Sequence, residues 1–477
     1  IDLDAAKPAF PLRRVSKVGA TYIAWSPDSE AISWSVGAEF KTAQLDTLLS
    51  DDYETPATSN NLSMQVAHAK PDSAVALTNA RVITMNSERS VINNATVLIK
   101  GNRIESIIPD APVPVGYAEI DLAGKTIMPG IVDAHAHGPY AGDDIIPQQN
   151  WNLLAHLALG VTTVHNPSSS AKSAFAAAEY ARAGRILGPR IFSTGEIVYG
   201  AKSTSWAPID SLDDALAHVR RLAAQGAISV KNYNQPRREQ RQQVIEAARQ
   251  EGLISVAEGG SLYQLDMSMI ADGITGIEHN VPTLKMYDDV HQFWRQSGAG
   301  YTPTLVVTYG GLTSEDYFYQ NTEVWKHPIL SNFVPPAQLQ ARSVRRVTAP
   351  EEDYRDDDAA AAAKILMDAG IMVNIGAHGQ REGLASHWEM WSFARGGFSP
   401  MEALATATIN PARYLGMDND IGSLEAGKLA DIRNTDRISH VMLNGRLYRA
   451  GDLSEEVTGT AALNPFHWQS TPQGAIR

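Results

Sequence analysis

The stretch Gly124-Lys-Thr-Ile-Met-Pro-Gly-Ile-Val-Asp-Ala-His-Ala-His-Gly138 decides how the chain is read. Its apolar residues Ile127, Met128, Ile131 and Val132 mark a short buried strand that ends in His135-Ala136-His137. Side chains alternate faces along a strand, so histidines two apart point the same way. Two imidazoles converging from one strand end can grip a divalent metal ion. Alone, such a pair is more often chance than chemistry. Placed behind Pro129-Gly130-Ile131-Val132-Asp133 it carries more weight, and its companions are to be sought downstream.

Composition narrows the classes. A chain of 477 residues exceeds one ordinary core, so two or more domains are expected. Its 44% hydrophobic and 19% charged residues describe a soluble globular protein, and no apolar run approaches a membrane span. A formal charge of −13, with the acids dispersed, argues against nucleic-acid binding. Cysteine is absent, which excludes disulfides, thiolate zinc sites and cysteine nucleophiles together. Any metal must therefore be held by histidine, carboxylate or modified lysine. The opening at Ile1, without a charged-then-apolar leader, reads as a processed or excised piece of something longer.

Taken in order, the chain changes style three times. Tyr22-Ile-Ala-Trp-Ser-Pro-Asp-Ser29 and Glu30-Ala-Ile-Ser-Trp-Ser-Val36 alternate around a Ser-Pro-Asp turn, a β-hairpin pattern. Residues 51–73 are polar and turn-rich, a linker. Short alternating strands follow at Val75–Thr84, Ala95–Ile99 and Gly101–Ile108, and the style returns at Val441–Tyr448. Between them, helical and apolar segments alternate. Helices over Trp151–Leu159, Asp213–Ala224, Arg238–Glu251, Met267–Ala271 and Ala359–Ala369 separate strands at Gly160–Val164, Ala227–Val230, Leu253–Val256, Gly276–Ile277, Tyr301–Val307 and Ile371–Ile375. This implies parallel βα units, and periodicity alone does not separate a barrel from a doubly wound sheet. Polar residues gathered at the strand ends favour the barrel. Thr313–Asp358 is long for a connection and suits a lid or binding loop.

Three phrases carry a family resemblance. Pro129–His137, together with Ala405-Thr-Ala-Thr-Ile-Asn-Pro-Ala-Arg-Tyr-Leu-Gly416 and Gly422–Asp431, resembles the metal-dependent amidohydrolase superfamily. The likeness is to its imidazolonepropionase and prolidase-like branch, and Trp25-Ser-Pro-Asp28 resembles the blade of a Tol-type β-propeller fused to such proteins. The resemblance implies an α/β fold: a (β/α)8 TIM-like barrel over 128–416, with a small β-sandwich from flanking strands 74–127 and 417–452. A propeller-blade remnant over 1–50 and a tail over 453–477 complete it. Asp431 should open a sandwich strand, yet it runs straight into Ile432-Arg-Asn-Thr-Asp436, so a skipped stretch or a deletion is expected there.

The resemblance also implies a ligand set: His135, His137, Lys231, Glu258 and His279 around one or two divalent ions, zinc or else manganese. Lys231 would ligate as a carbamate carrying CO₂; as an ammonium it repels metal. Glu258 stands where the family places a histidine, and His378 where it places an aspartate. His378 is assigned as general base and acid or as an extra ligand. His165 and Asn166 fall at the barrel mouth, and Tyr233, Tyr309 and His387 are candidates for substrate contact. The implied activity is hydrolysis of an amide bond in a small molecule, such as a dipeptide or cyclic amide, by metal-activated water. A deaminase, an ester or lactone hydrolase, a retired binding barrel and a propeller-type interaction protein are the alternatives. An upstream propeller domain or a homo-oligomer is the expected partner, and the periplasm or exterior the expected location.

Overall fold

A helix after each apolar strand returns the chain to the starting edge, so successive strands pair in parallel. The computed structural model describes residues 13–469, apart from residues 14, 17, 51–57, 143, 204–205, 261, 435–437 and 460–462. Strands β1 (Ile131–Asp133), β2 (Val161–Asn166) and β3 (Arg190–Ser193) form one parallel sheet. Strands β4 (Ser229–Asn232), β5 (Ile254–Glu258), β6 (Gly276–Glu278) and β7 (Gly300–Thr302) form a second. Backbone bonds join the two: the Val198 amide donates to the Lys231 carbonyl (2.9 Å) and that of Tyr233 to Val198 (3.2 Å). On the other side Tyr301 donates to Met372 (2.8 Å), Asn374 to Tyr301 (2.9 Å) and Ala134 to Ile375 (3.3 Å). Residues 371–375 therefore hold the eighth position as an extended segment, and the arrangement is TIM-barrel-like.

Two expected strands are shorter than their apolar runs. The run Tyr301–Val307 pairs only through Thr302, then passes Thr304 at φ +47° into a 3₁₀ turn over Leu305–Val307. Pro303 has no amide hydrogen to continue the ladder. In Ile371–Ile375 only Val373 makes a strand-type bridge, to Tyr301. The segment Thr313–Asp358 is not an open lid either. It folds into short helices at Glu315–Asn321, Leu330–Phe333 and Pro336–Gln340 that bury Phe318 and Tyr319. Phe318 stacks on Trp388 at 5.0 Å, so this segment is an added layer of core.

The flanking strands expected as a sandwich join in a single mixed sheet of eight strands. The late strand Ile432–Asn434 pairs antiparallel with Thr126–Pro129 and with His440–Leu443. No apolar stretch is needed after Asp431, because backbone pairing on both sides places these three residues. Arg190 of β3 forms an ion pair with Asp431 and ties this sheet to the barrel. At the N-terminal end the hairpin extends to four antiparallel strands, Thr21–Trp25, Ala31–Val36, Glu39–Gln44 and Thr58–Asn61. The last of them lies within the expected linker, whose residues 51–57 fall outside the described residues, as do 1–12 of the expected blade and 470–477 of the tail. Within the tail, Phe466 is buried and stacks on Trp468 at 4.4 Å. Among the described residues no helix is long and apolar enough to cross a membrane.

Buried carboxylates hold the barrel mouth together. Asp133, fully buried at the end of β1, accepts from the Ala377 amide (3.1 Å), the His135 amide (3.2 Å) and the Ser386 hydroxyl (2.7 Å). Glu389 accepts from the amides of Val306 (2.6 Å) and Gly376 (3.3 Å). The first and last elements are thus fastened beside each other. Elsewhere two helices meet at Gly396, where a Cβ would stand 2.3 Å from the Ala360 Cβ and 2.6 Å from the Ala361 nitrogen. Gly396→Ala should destabilise the chain by about 1–3 kcal/mol in urea unfolding, through overpacking, with the histidine cluster unaffected.

Candidate metal centre

Histidines from three barrel elements meet at the C-terminal ends of the strands. His135 and His137 follow β1, His279 follows β6, and His378 follows the eighth position. The rings of His135 and His378 each stand 4.8–5.1 Å, centroid to centroid, from the other three. Reaching this cluster requires unusual backbone: φ is +70° at His279 and +58° at His378, left-handed values that cost free energy outside glycine. Gly379 follows at φ +76°, where a Cβ would lie 2.1 Å from the His137 carbonyl oxygen. The His378 amide donates to the His135 carbonyl at 2.6 Å, which fixes the turn.

The hydrogen-bond partners decide which nitrogens face inward. The Ser168 amide donates to Asn166 Oδ1 at 3.0 Å, so the amide oxygen is the atom facing His137 Nδ1 at 2.9 Å. His137 Nδ1 therefore carries the hydrogen, and Nε2 presents its lone pair. His135 Nδ1 lies 2.7 Å from Glu278 Oε2, leaving its Nε2 to face His137 Nε2 at 3.2 Å. Two ring nitrogens at this separation share either a proton or a cation. Two imidazoles on a tetrahedral ion, each about 2.0–2.1 Å from it, are separated by about 3.3 Å. The residues fit a metal. Among the described residues, ligand atoms of His135, His137 and His378 all lie within 4.8 Å of one another.

Beside this trio lies a charged group. Lys231 of β4 is buried with Nζ 2.8 Å from Glu258 Oε2, and Glu258 Oε1 is 3.3 Å from His279 Nε2. His279 Nδ1 contacts the Thr304 hydroxyl at 2.7 Å. Burial alone would raise the Glu258 carboxyl, but the His279 hydrogen bond and the Lys231 charge hold it well below the usual range. Burial, with the neighbouring imidazoles, pushes His378 down to about 3 and His135 well below its ordinary value. Burial pushes Glu278 up to about 8. Burial thus favours the neutral form of His135 and His378, the form that ligates metal.

Tyr309 stacks on His279 at 5.0 Å, its backbone clamped by Asn280 through bonds of 2.7 and 3.2 Å. Tyr233 meets Tyr199 edge-on at 5.2 Å. His387 instead lies on the helix Leu384–Arg395 with Nε2 2.9 Å from the Leu159 carbonyl, a bond between two packed elements. His165 is also drawn away from the mouth. It is fully buried, with Nδ1 on the Ala134 carbonyl (2.9 Å) and Nε2 on the Ser229 hydroxyl (2.7 Å). Sequence reasoning placed Asn166 at the mouth without a role and missed Glu278, which directly precedes His279. Strand alternation was a usable signal for Glu278, since it pairs with inward-pointing Glu258.

A profile of the Amidohydrolase family matches residues 126–447. An imidazolonepropionase from Deinococcus radiodurans is 25% identical over 379 residues, 75% of this chain and 88% of that protein. One from Arthrobacter is 40% identical over 64 residues, so the chain spans only 16% of its length. Among solved structures, a Xaa-Pro dipeptidase with methionine bound in its active site matches 79% of this chain and all of its own, at TM-score 0.60 and 20% identity. Molinate hydrolase matches 85% and 98% at TM-score 0.61 and 15% identity. At these identities the structures bear on fold alone.

Burial of His165, between the strand ends that carry His135 and Lys231, gives a pH signature of its own. Its value is pushed down to about 4, below the ordinary 6.5, so the unfolded chain takes up the proton first. Its contribution to stability is complete above about pH 6.5 and drains as pH falls toward 4. The stability gap between wild type and His165→Gln, measured by urea unfolding, should narrow over that window by on the order of 3 kcal/mol.

Proposed function

The chain belongs to the amidohydrolase family, metal-dependent hydrolases of carbon–nitrogen bonds, and on that premise we propose that it cleaves an amide bond in a small substrate such as a dipeptide or a cyclic amide. One observation carries the reading: two ring nitrogens 3.2 Å apart, each turned inward by a partner on the opposite nitrogen. A bound divalent ion, zinc or else manganese, supplies Lewis acidity that activates water and polarises the scissile carbonyl. His135, His137 and His378 hold it, with Glu278 and Asn166 aiming the first two. His378 is then a ligand, and the proton work passes to Glu258. Glu258, joined to the cluster through His279, is the remaining acceptor: it would take the proton from the attacking water and return it to the departing nitrogen. The Lys231 ammonium opposes the negative charge that develops on the carbonyl oxygen.

A second reading keeps two metals. With Lys231 carboxylated, its charge reverses beside Glu258, and the repulsion is relieved only by another cation. Lys231, Glu258 and His279 already converge, at 2.8 and 3.3 Å, and would hold it. The substrate class follows the imidazolonepropionase relative and the dipeptidase likeness, and Tyr199, Tyr233 and Tyr309 offer its apolar parts an aromatic wall. The four-stranded N-terminal meander is what a single propeller blade requires.

Elemental analysis after purification without chelator should give about one metal equivalent per chain in the first reading and about two, with the mass of CO₂ added, in the second. Protein that holds none and takes up neither zinc nor manganese would sink both. Glu258→Gln should keep the first ion and lower kcat on a dipeptide and cyclic-amide panel by about 10²–10⁴. His378→Ala should lose metal affinity as well as activity; retention of metal with loss of kcat alone would return His378 to the role of base.

A further inference from the structure

The phrase Ile409-Asn-Pro-Ala-Arg-Tyr414 contributes to the family likeness but has had no chemistry so far. The structure brings Tyr414, buried at 6% exposure, into a slot between β6 and β7. A Cβ on Gly276 would stand 2.0 Å from the Tyr414 hydroxyl, and one on Gly300 would lie 2.9 Å from its ring. Both glycines sit within strands, so it is the room for this ring that requires them. A tyrosine hydroxyl buried this deeply needs a partner. It donates to Glu278 Oε1 at 2.8 Å, and the other oxygen of that carboxyl meets His135 Nδ1 at 2.7 Å. With both oxygens engaged, Glu278 cannot turn without breaking one bond. Three buried groups thus run in line from the C-terminal helix to the nitrogen that faces His137.

We propose that Tyr414 is a positioning residue for the metal centre, locking Glu278 so that His135 presents Nε2 to the ion. This rests on His135 being a ligand, as read above. Tyrosine is needed here for its hydroxyl; phenylalanine would fill the same slot and leave one oxygen of Glu278 buried without its donor. The late phrase therefore does more than close the barrel: it sets the affinity of a site that it does not touch.

The test is cobalt(II) binding to the full chain stripped of metal, followed by competition with a chelating dye and by the visible spectrum of the bound ion. Tyr414→Phe should bind about tenfold more weakly, and Glu278→Gln about tenfold to a hundredfold more weakly. The double variant should be no weaker than Glu278→Gln alone, because Tyr414 acts only through that carboxyl. Wild-type affinity in Tyr414→Phe, or losses that simply add in the double variant, overturns the proposal and leaves the metal reading standing. If Tyr414→Phe does not fold, Gly300→Ala, which crowds the ring out of its slot, should show the same weakening, and wild-type affinity there overturns it. Wild-type protein that takes up no cobalt overturns both.

Discussion

The approach of His135 Nε2 to His137 Nε2 at 3.2 Å is the constraint on which the rest depends. Two imidazole nitrogens this close share a proton or a cation, and each ring is held in place from behind. Glu278 holds one and Asn166 the other, and each of these is fixed in turn, Glu278 by Tyr414 and Asn166 by the Ser168 amide. The site is therefore built from the outside inward. Rings locked in this way present a metal with a preformed pair of donors, and little ordering entropy is left to lose on binding.

The barrel is shaped around that pair at some local cost. His279 and His378 both adopt left-handed backbone, and Gly379 lies too close to the His137 carbonyl for any side chain. Such conformations persist where surrounding bonds over-determine them. Here the His378 amide on His135, the His279 amide on Thr302 and the Asp133 clasp to Ala377 and Ser386 do so. Asp133 and Glu389 are buried carboxyls whose partners are backbone amides or a hydroxyl, an expensive way to tie loops unless the loops must not move. Asp133 fastens the elements that carry the first and last histidines, and Glu389 ties the last of them to the turn at Val306.

Charge next to the cluster is arranged with equal economy. Lys231 enters the site as a cation in a setting where an unpaired cation would oppose metal binding, and Glu258 neutralises it at 2.8 Å. The same carboxylate reaches His279, so the pair couples the β4 and β5 strand ends to β6. Whether the lysine works as an ammonium or as a carbamate, Glu258 is the group whose partner changes, which is why the two readings of the centre divide at this residue.

The sequence by itself determined the family, the βα alternation and most of the residues that converge. His135 and His137 were legible because strand alternation is a local property, read behind Pro129-Gly130-Ile131-Val132-Asp133, whereas Lys231, Glu258 and His279 were singled out by laying the family resemblance over the strand ends. Only the tertiary structure decided which atoms each residue meets. His378 sits beside His135 and His137 because a left-handed turn folds it back over β1, and no local pattern announces that turn. His165 looked like a mouth residue, but its strand register turns it inward onto Ser229. Asn166 and Glu278 lay in plain view as ordinary polar residues, since their role depends on partners 29 and 143 positions away. The same holds for Ile432–Asn434, a strand with no strand-like composition that is placed by pairing on both edges. Periodicity fixes which face a residue can occupy; which atom meets it there depends on long-range packing, and that is settled only when the chain closes on itself.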